Sequence, residues 1–248
     1  MNNSDKPQQY IQGWVEFFKL KFKVTPDVLI PRPETELLVE MILQFVHSSQ
    51  LSVHSKTENR EPRTDNLYTI IDIGTGSGNI AISLAKNLSN RTIEVRYKII
   101  ATDISKQALR VAKQNAKLHG VEDHIKFIQS NLLTSLYSEL ITPDSELIIV
   151  TNLPYIPTAR IPYLDSSVKD FEPHLALDGG ENGFGLYEIL FQQLIKKKLT
   201  PKLLIGEIDY THGQLAVDIA KKYFPEAEIE VKKDLAYMQR ILTIRLPG

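Results

Sequence analysis

The stretch Tyr68-Thr69-Ile70-Ile71-Asp72-Ile73-Gly74-Thr75-Gly76-Ser77-Gly78-Asn79-Ile80 decides the fold. Its apolar start lacks alternation and predicts a strand buried on both faces. The strand stops at a turn holding three glycines, a residue that adopts positive φ freely and lets the backbone pass close to a ligand. The amphipathic run from Asn79 to Leu88 then predicts a helix, whose first N–H groups lack partners within it. Strand, glycine turn and helix in this order form the ligand cradle at the carboxyl end of a strand in an open α/β sheet. The spacing is G-x-G-x-G instead of the G-x-G-x-x-G of dinucleotide binders, which favours an adenosyl amino acid over a pyrophosphate.

Outward from this unit the same alternation repeats. Further strands are predicted at Tyr97 to Thr102, Ile125 to Gln129, Leu147 to Val150 and Leu203 to Ile205. Helices are predicted at Lys106 to His119, Gly185 to Lys198 and Gln214 to Tyr223. Strands that alternate with helices imply an α/β fold, a doubly wound parallel sheet with right-handed crossovers. Ile229 to Lys232 and Ile241 to Leu246 follow each other without a helix, as a closing antiparallel hairpin would. Upstream, the alternation around Phe18-Lys19-Leu20-Lys21-Phe22-Lys23-Val24 predicts a strand in a short N-terminal hairpin. Ile30-Pro31-Arg32-Pro33-Glu34-Thr35-Glu36 excludes regular structure through its two prolines, and an amphipathic helix should begin just after it. The polar stretch 47–66 is expected to be a flexible loop. Residues 1–30 therefore form an N-terminal segment and hairpin, and 31–248 a ligand-binding domain.

Composition narrows the class. A chain of 248 residues that is 42% hydrophobic can bury the core of one sizeable domain. A formal net charge of -1 gives no global positive field to draw it onto nucleic acid or an anionic membrane. The absence of cysteine removes disulfides, thiolate metal sites and cysteine nucleophiles, and fits a cytoplasmic protein. No apolar run approaches the roughly 20 residues that span a bilayer. The six histidines show no metal-ligand spacing, so no metal is expected.

Asp103 ends the strand after the glycine turn, where a carboxylate can accept both hydroxyls of a ribose; capping the helix that begins near Lys106 is its other role, and the spacing favours the ribose. Asn131, after the third strand, can accept from an adenine amino group or satisfy its own turn. Asn152-Leu153-Pro154-Tyr155 carries the chemistry. An amide or exocyclic amine nitrogen is a poor nucleophile because its lone pair is delocalised, so a site must hold and aim it. The Asn152 side-chain oxygen and the Leu153 carbonyl supply one acceptor per N–H, Pro154 stiffens the turn, and the Tyr155 ring is expected on the substrate's flat face. These requirements fit methyl transfer from S-adenosylmethionine to nitrogen.

The chain resembles the N5-glutamine methyltransferases that modify peptide-chain release factors. Four segments carry the resemblance: Val28 to Glu36, Asp72 to Gly78, Thr151 to Ile156, and Glu172-Pro173-His174-Leu175-Ala176-Leu177-Asp178-Gly179-Gly180. The resemblance implies a Rossmann-like seven-stranded methyltransferase sheet, S-adenosylmethionine as donor, and a release factor as partner, the glutamine of its Gly-Gly-Gln loop accepting the methyl. It implies that Gly74, Thr75, Gly76, Ser77 and Gly78 hold the methionine moiety and that Asp103, followed by Ile104, takes the ribose. It places Asn131 and Leu132 on the adenine, and Asn152 to Tyr155 on the glutamine amide next to the cofactor.

Three departures stand out. The family pattern N-P-P-Y has Leu153 in its second place here, which keeps the carbonyl acceptor, so activity should persist. Asn131 stands where an aspartate is usual. Of the family's N-terminal helical bundle only the connecting hairpin around Tyr10 to Val24 is expected, so Trp14, Phe17 and the Pro31 to Glu36 loop should carry substrate contact. A rival substrate is the adenine N6 of RNA or DNA, which presents the same planar NH2. The near-neutral charge argues against nucleic acid.

Overall fold

The computed structural model describes residues 5–54, 67–89, 96–137, 141 and 145–247, and the side chains of 49–54 fall outside that description. A short helix α1 (Gln8–Gln12) leads into the hairpin β1 (Trp14–Phe17) and β2 (Leu20–Lys23). The proline segment is not wholly irregular, contrary to what its two prolines suggest: Pro33–Thr35 forms a single 3-10 turn, Pro33 being compatible with a first helical position, and α2 (Glu36–His54) follows directly. Then β3 (Leu67–Ile73), α3 (Asn79–Ser89), β4 (Arg96–Asp103), α4 (Lys106–His119) and β5 (Ile125–Gln129) build one half of the sheet. β6 (Ser145–Thr151), α5 (Ser166–Lys169), α6 (Gly185–Lys197), β7 (Leu203–Glu207), α7 (Gly213–Tyr223), β8 (Glu228–Lys233) and β9 (Gln239–Arg245) complete it.

The seven-stranded sheet has the order β5-β4-β3-β6-β7-β9-β8. β3 to β7 run parallel, and β9 lies antiparallel to both β7 and β8. This is the doubly wound, Rossmann-like sheet with a closing hairpin that the periodicity predicts. The winding reverses between β3 and β6, and such a reversal opens a crevice at the carboxyl ends of the two strands. Ile73 pairs with Thr151 there, and the Thr151 hydroxyl donates to the Ile73 carbonyl at 2.7 Å. The glycine turn and the Asn152 turn therefore leave the sheet side by side, although about 75 residues of chain separate them.

Two apolar layers hold the sheet. Alternation along β3 sends Tyr68 and Ile70 to one face, against Leu38 and Ile42 of α2 and Ile80 and Leu84 of α3. Ile71 and Ile73 go to the other face with Leu190 and Phe191 of α6 and Ala216 of α7. α4 has marked stop signals: the Ser105 hydroxyl accepts from Ala108 N at its start, and Gly120 ends it in the left-handed region at φ 62.

The sequence expectations need correction in two further places. α2 continues to His54, through the first part of the expected 47–66 loop; residues 55–66 lie outside the described residues. The hairpin aromatics are also not a free surface. Phe17 and Phe22 are buried in the same core as α2 and α3, and the ring of half-buried Trp14 is covered by the Lys21 ammonium 4.0 Å from its centroid. Asn115 of α4 ties β2 to the glycine turn, accepting from Lys23 N and donating to both Lys23 O and Ser77 O. The hairpin thus braces the cradle, and Phe17 serves the core.

Candidate active site

A cavity lies over the β3–β6 crevice, and its wall includes Gly74, Thr75, Gly76, Ser77, Asp103, Ile104, Asn131, Leu132, Asn152, Leu153 and Pro154. The structure thus gathers nearly every residue that the sequence singles out. Gly78 and Tyr155 are the exceptions. A Cβ on Gly78 would lie 2.7 Å from Ile82 Cδ1 and 3.2 Å from Ala112 Cβ, so this glycine, with φ +83, seats the turn against α4 instead of facing the cavity. Tyr155 turns its hydroxyl inward to Glu207 Oε1 at 2.9 Å.

On the cradle side, the fold settles which residue caps α4. Ser105 does so, and Asp103 is left to organise the wall. Its Oδ2 accepts from Gly76 N at 2.9 Å and its Oδ1 from Ser105 N at 2.8 Å. With Ile104 N also acting on the carboxylate, three backbone N–H groups hold it at the cavity wall, where its remaining acceptor capacity suits a ligand diol. Burial raises the pKa of Asp103, against the backbone hydrogen bonds that lower it. Beneath the turn, Asp72 is fully buried; its Oδ2 accepts from the Thr75 hydroxyl at 2.6 Å and Ala81 N at 3.1 Å. Its Oδ1 has no hydrogen-bond partner among the described residues. Burial pushes its pKa up to about 7, opposed by those two donors and reinforced by the charge of Asp103.

Asn131 is exposed at the rim, and its turn is closed through its backbone carbonyl, which accepts from Thr134 N and the Thr134 hydroxyl. No hydrogen bond joins its side-chain amide to another described residue, so the amide is available to a ligand. Next to it, Leu132 holds φ 52 and, with Ile104, adds apolar wall. A carboxylate for a diol, apolar sides for a flat ring and an amide at the rim fit an adenosyl group, and the backbone of Gly74 to Gly76 has room beside it for an amino-acid tail.

The other side of the cavity is built around Asn152. Its Nδ2 donates to Thr35 Oγ1 at 3.0 Å and to Glu207 Oε2 at 3.1 Å. Both amide hydrogens are thereby used, and no described residue donates to Oδ1. The Leu153 side chain sinks into the core beside Ile73 and Ile149, 3.5 Å from where a Gly74 Cβ would stand. Glu207 is 1% exposed and accepts three hydrogen bonds, the third from the Thr35 hydroxyl at 2.6 Å. Burial raises its pKa, opposed by the Thr35 and Tyr155 donors and by Arg240. Burial and Glu207 together also push the Tyr155 phenol up.

Thr35 and Glu207 are the site residues that sequence reading misses. Glu207 had a signal: it is an acid at the carboxyl end of an apolar strand, the same position that marks Asp103. Thr35 had none, because it arrives from the proline segment outside the sheet. That segment is fastened by Arg32, which reaches Glu172 Oε1 at 2.5 Å, and by Ile30 N, which donates to Glu172 Oε2 at 3.3 Å. Val28, Leu29, Pro31 and Arg32 line the cavity together with Pro173, Leu175 and Ala176, so these two joined segments form part of its wall.

The chain following Glu172 also supports the Asn152 turn from below. Ile156 N donates to Leu177 O at 3.1 Å and Gly179 N to Ile156 O at 2.9 Å. A Cβ on Gly179 would stand 2.7 Å from the Pro154 carbonyl oxygen and 2.8 Å from Tyr155 Cα. Only glycine allows that approach.

Comparison with known proteins gives concordant results. A methyltransferase-domain family model matches residues 64–168. The release factor glutamine methyltransferase of Lactococcus lactis subsp. lactis (strain IL1403) is 37% identical over 243 residues, covering 98% of this chain and 78% of that protein. Its namesake in Moorella thermoacetica is 38% identical, covering 94% of this chain and 73% of that protein. Among solved structures, the hMettl16 catalytic domain in complex with MAT2A 3'UTR hairpin 6 superposes with a TM-score of 0.66 at 14% identity, covering 93% of this chain and 77% of that one. The N-terminal domain of human METTL16 in complex with SAH superposes with a TM-score of 0.58 at 15% identity and the same coverage. At these identities the structural likeness speaks for the fold.

Proposed function

The chain belongs to the release factor glutamine methyltransferases, and on that premise we propose that it transfers a methyl group from S-adenosylmethionine to the side-chain N5 of a glutamine, the one in the Gly-Gly-Gln loop of a peptide-chain release factor. When bound, the donor supplies an electrophilic methyl on a sulfonium. Everything else falls to residues of this chain.

Asp103 takes the ribose hydroxyls with its remaining lone pairs, Asn131 and Leu132 take the adenine edge and face, and the Gly74 to Ser77 backbone takes the methionine end. Asp103 in the cavity wall, and Asp72 and Glu207 behind it, are carboxylates whose burial is costly and raises their pKa values. A cationic ligand lowers that cost, which suits a sulfonium. On the acceptor side, Asn152 Oδ1 and the Leu153 carbonyl receive the two N–H groups of the glutamine amide. Holding both fixes the amide plane and aims the nitrogen along the line of transfer. Positive charge that develops on this nitrogen is stabilised by the same two acceptors, and the nitrogen sheds one of its protons to solvent to give the neutral N-methyl amide.

The orientation of Asn152 carries the assignment: its NH2 is fully engaged inward, which leaves a carbonyl oxygen, the group an amide N–H requires, at the cavity. An adenine amino group would satisfy the same acceptors. Against that rival stand relatives at 32% to 38% identity that carry the release-factor name. The deciding experiment incubates the protein with labelled S-adenosylmethionine and either a release factor or bulk RNA. Label on a glutamine of the factor is expected, and label confined to RNA would overturn the assignment.

A further inference from the structure

We propose, on the premise that Asn152 Oδ1 receives the acceptor amide, that Glu207 and Thr35 are positioning residues that fix which end of the Asn152 amide faces the substrate and strengthen its oxygen as an acceptor. An asparagine amide can turn over with little change in shape, exchanging a donor for an acceptor. In a site that must grip an N–H, the reversed amide would set donor against donor. A carboxylate removes this ambiguity because it only accepts.

The directions of all four hydrogen bonds follow from that property. The Thr35 hydroxyl gives its single hydrogen to Glu207 Oε2 at 2.6 Å, so only a lone pair of Thr35 faces Asn152. Asn152 Nδ2 then meets two acceptors, Thr35 Oγ1 and Glu207 Oε2, and cannot exchange places with Oδ1. Tyr155 donates to the remaining oxygen, Oε1. Glu207 does not reach the cavity wall, and its engaged oxygens leave it to act through Asn152. Donation from Nδ2 to an anion also polarises the Asn152 amide, and its oxygen becomes a better partner as the acceptor nitrogen gains charge. The Arg32–Glu172 pair gains a purpose as well. It holds the proline segment that delivers Thr35.

The test measures kcat, KM and donor affinity on the full chain with labelled donor and a release factor. Glu207→Gln, which puts a donor into the triangle and removes its charge, should lower kcat by about 10-fold or more while donor affinity stays within about 2-fold. Thr35→Val should do the same, and Thr35→Ser, which returns the hydroxyl, should restore most of the loss. The Thr35 pair decides the matter if Glu207→Gln does not fold. In an Asn152→Ala background each change should alter kcat by less than about 2-fold, because the residue they act through is gone. The proposal is overturned if Glu207→Gln and Thr35→Val keep kcat while Asn152→Ala loses it, or if their losses are as large in the Asn152→Ala background. A parent protein that places no label on glutamine would overturn the functional premise itself, a result distinguishable from either.

Discussion

Gly179 lies so close under Pro154 that a Cβ on it would come within 2.7 Å of the Pro154 carbonyl oxygen. Neither side of the contact is a flexible side chain, so the backbone of the Asn152 turn must move to admit a methyl group. Gly179→Ala should therefore displace the substrate clamp and leave the cradle in place. We expect kcat to fall by about 10-fold or more, since misplacement of a positioned group on that scale costs up to about 100-fold, with donor affinity nearly unchanged. Steady-state kinetics beside calorimetry of donor binding checks this; a variant with parental kcat would mean that the turn has slack the geometry does not show.

Asp103→Ala should weaken donor binding by about 1 to 3 kcal/mol, the cost of losing a buried polar partner. Part of that cost is local, because Gly76 N and Ser105 N lose their acceptor as well. Calorimetry on parent and variant would measure it, and equal affinities would remove Asp103 from the ribose position.

Asp72 links stability to pH. Its pKa is about 7 in the folded chain and 3.8 as an ordinary carboxyl. Between these values the folded state keeps a proton that the unfolded state has released, so its contribution to stability falls as pH rises through this window and levels off above about 7. Asp72→Asn removes the titration. Urea unfolding of both proteins from about pH 5 to about pH 8 should show the parent losing stability relative to the variant. A difference that stays constant across that range would show that burial does not shift Asp72.

The hairpin turn holds Phe18 at φ 50 and Lys19 at φ 60, a left-handed pair in a two-residue connection that favours Asn and Gly. Lys19→Gly should stabilise the fold by about 1 kcal/mol, since the left-handed region costs a side-chain-bearing residue about 1 to 2 kcal/mol and glycine's extra chain entropy offsets part of the gain. Thermal or urea denaturation reads the change, and a loss of stability would mean that Lys19 makes a contact worth more than the strain.

Much of the molecule was legible along the chain because the relevant signals are local. Alternation and helical periodicity place β3 to β9 and α3, α4, α6 and α7 within a few residues of where they lie. The glycine turn and Asp103 follow from a rule about strand ends. Composition was a poorer guide at the end of α2, where polar residues after His47 suggested a loop and the helix runs on to His54.

Sequence by itself determined the sheet, its winding and hence the crevice, because each depends on patterns spanning one element and its neighbour. Only the tertiary structure decided what stands behind the catalytic asparagine. Thr35 lies 117 residues before Asn152 and Glu207 lies 55 after it, and no periodicity or turn signal connects them. They meet because β6 and β7 are parallel neighbours, which brings their carboxyl ends together, and because Glu172 fastens the proline segment that carries Thr35. The same holds for Gly78 and Phe17, whose residue types suggested ligand and partner contact and whose burial assigns them to packing. Which atoms a side chain faces depends on long-range packing, and that is set only when the whole chain has folded.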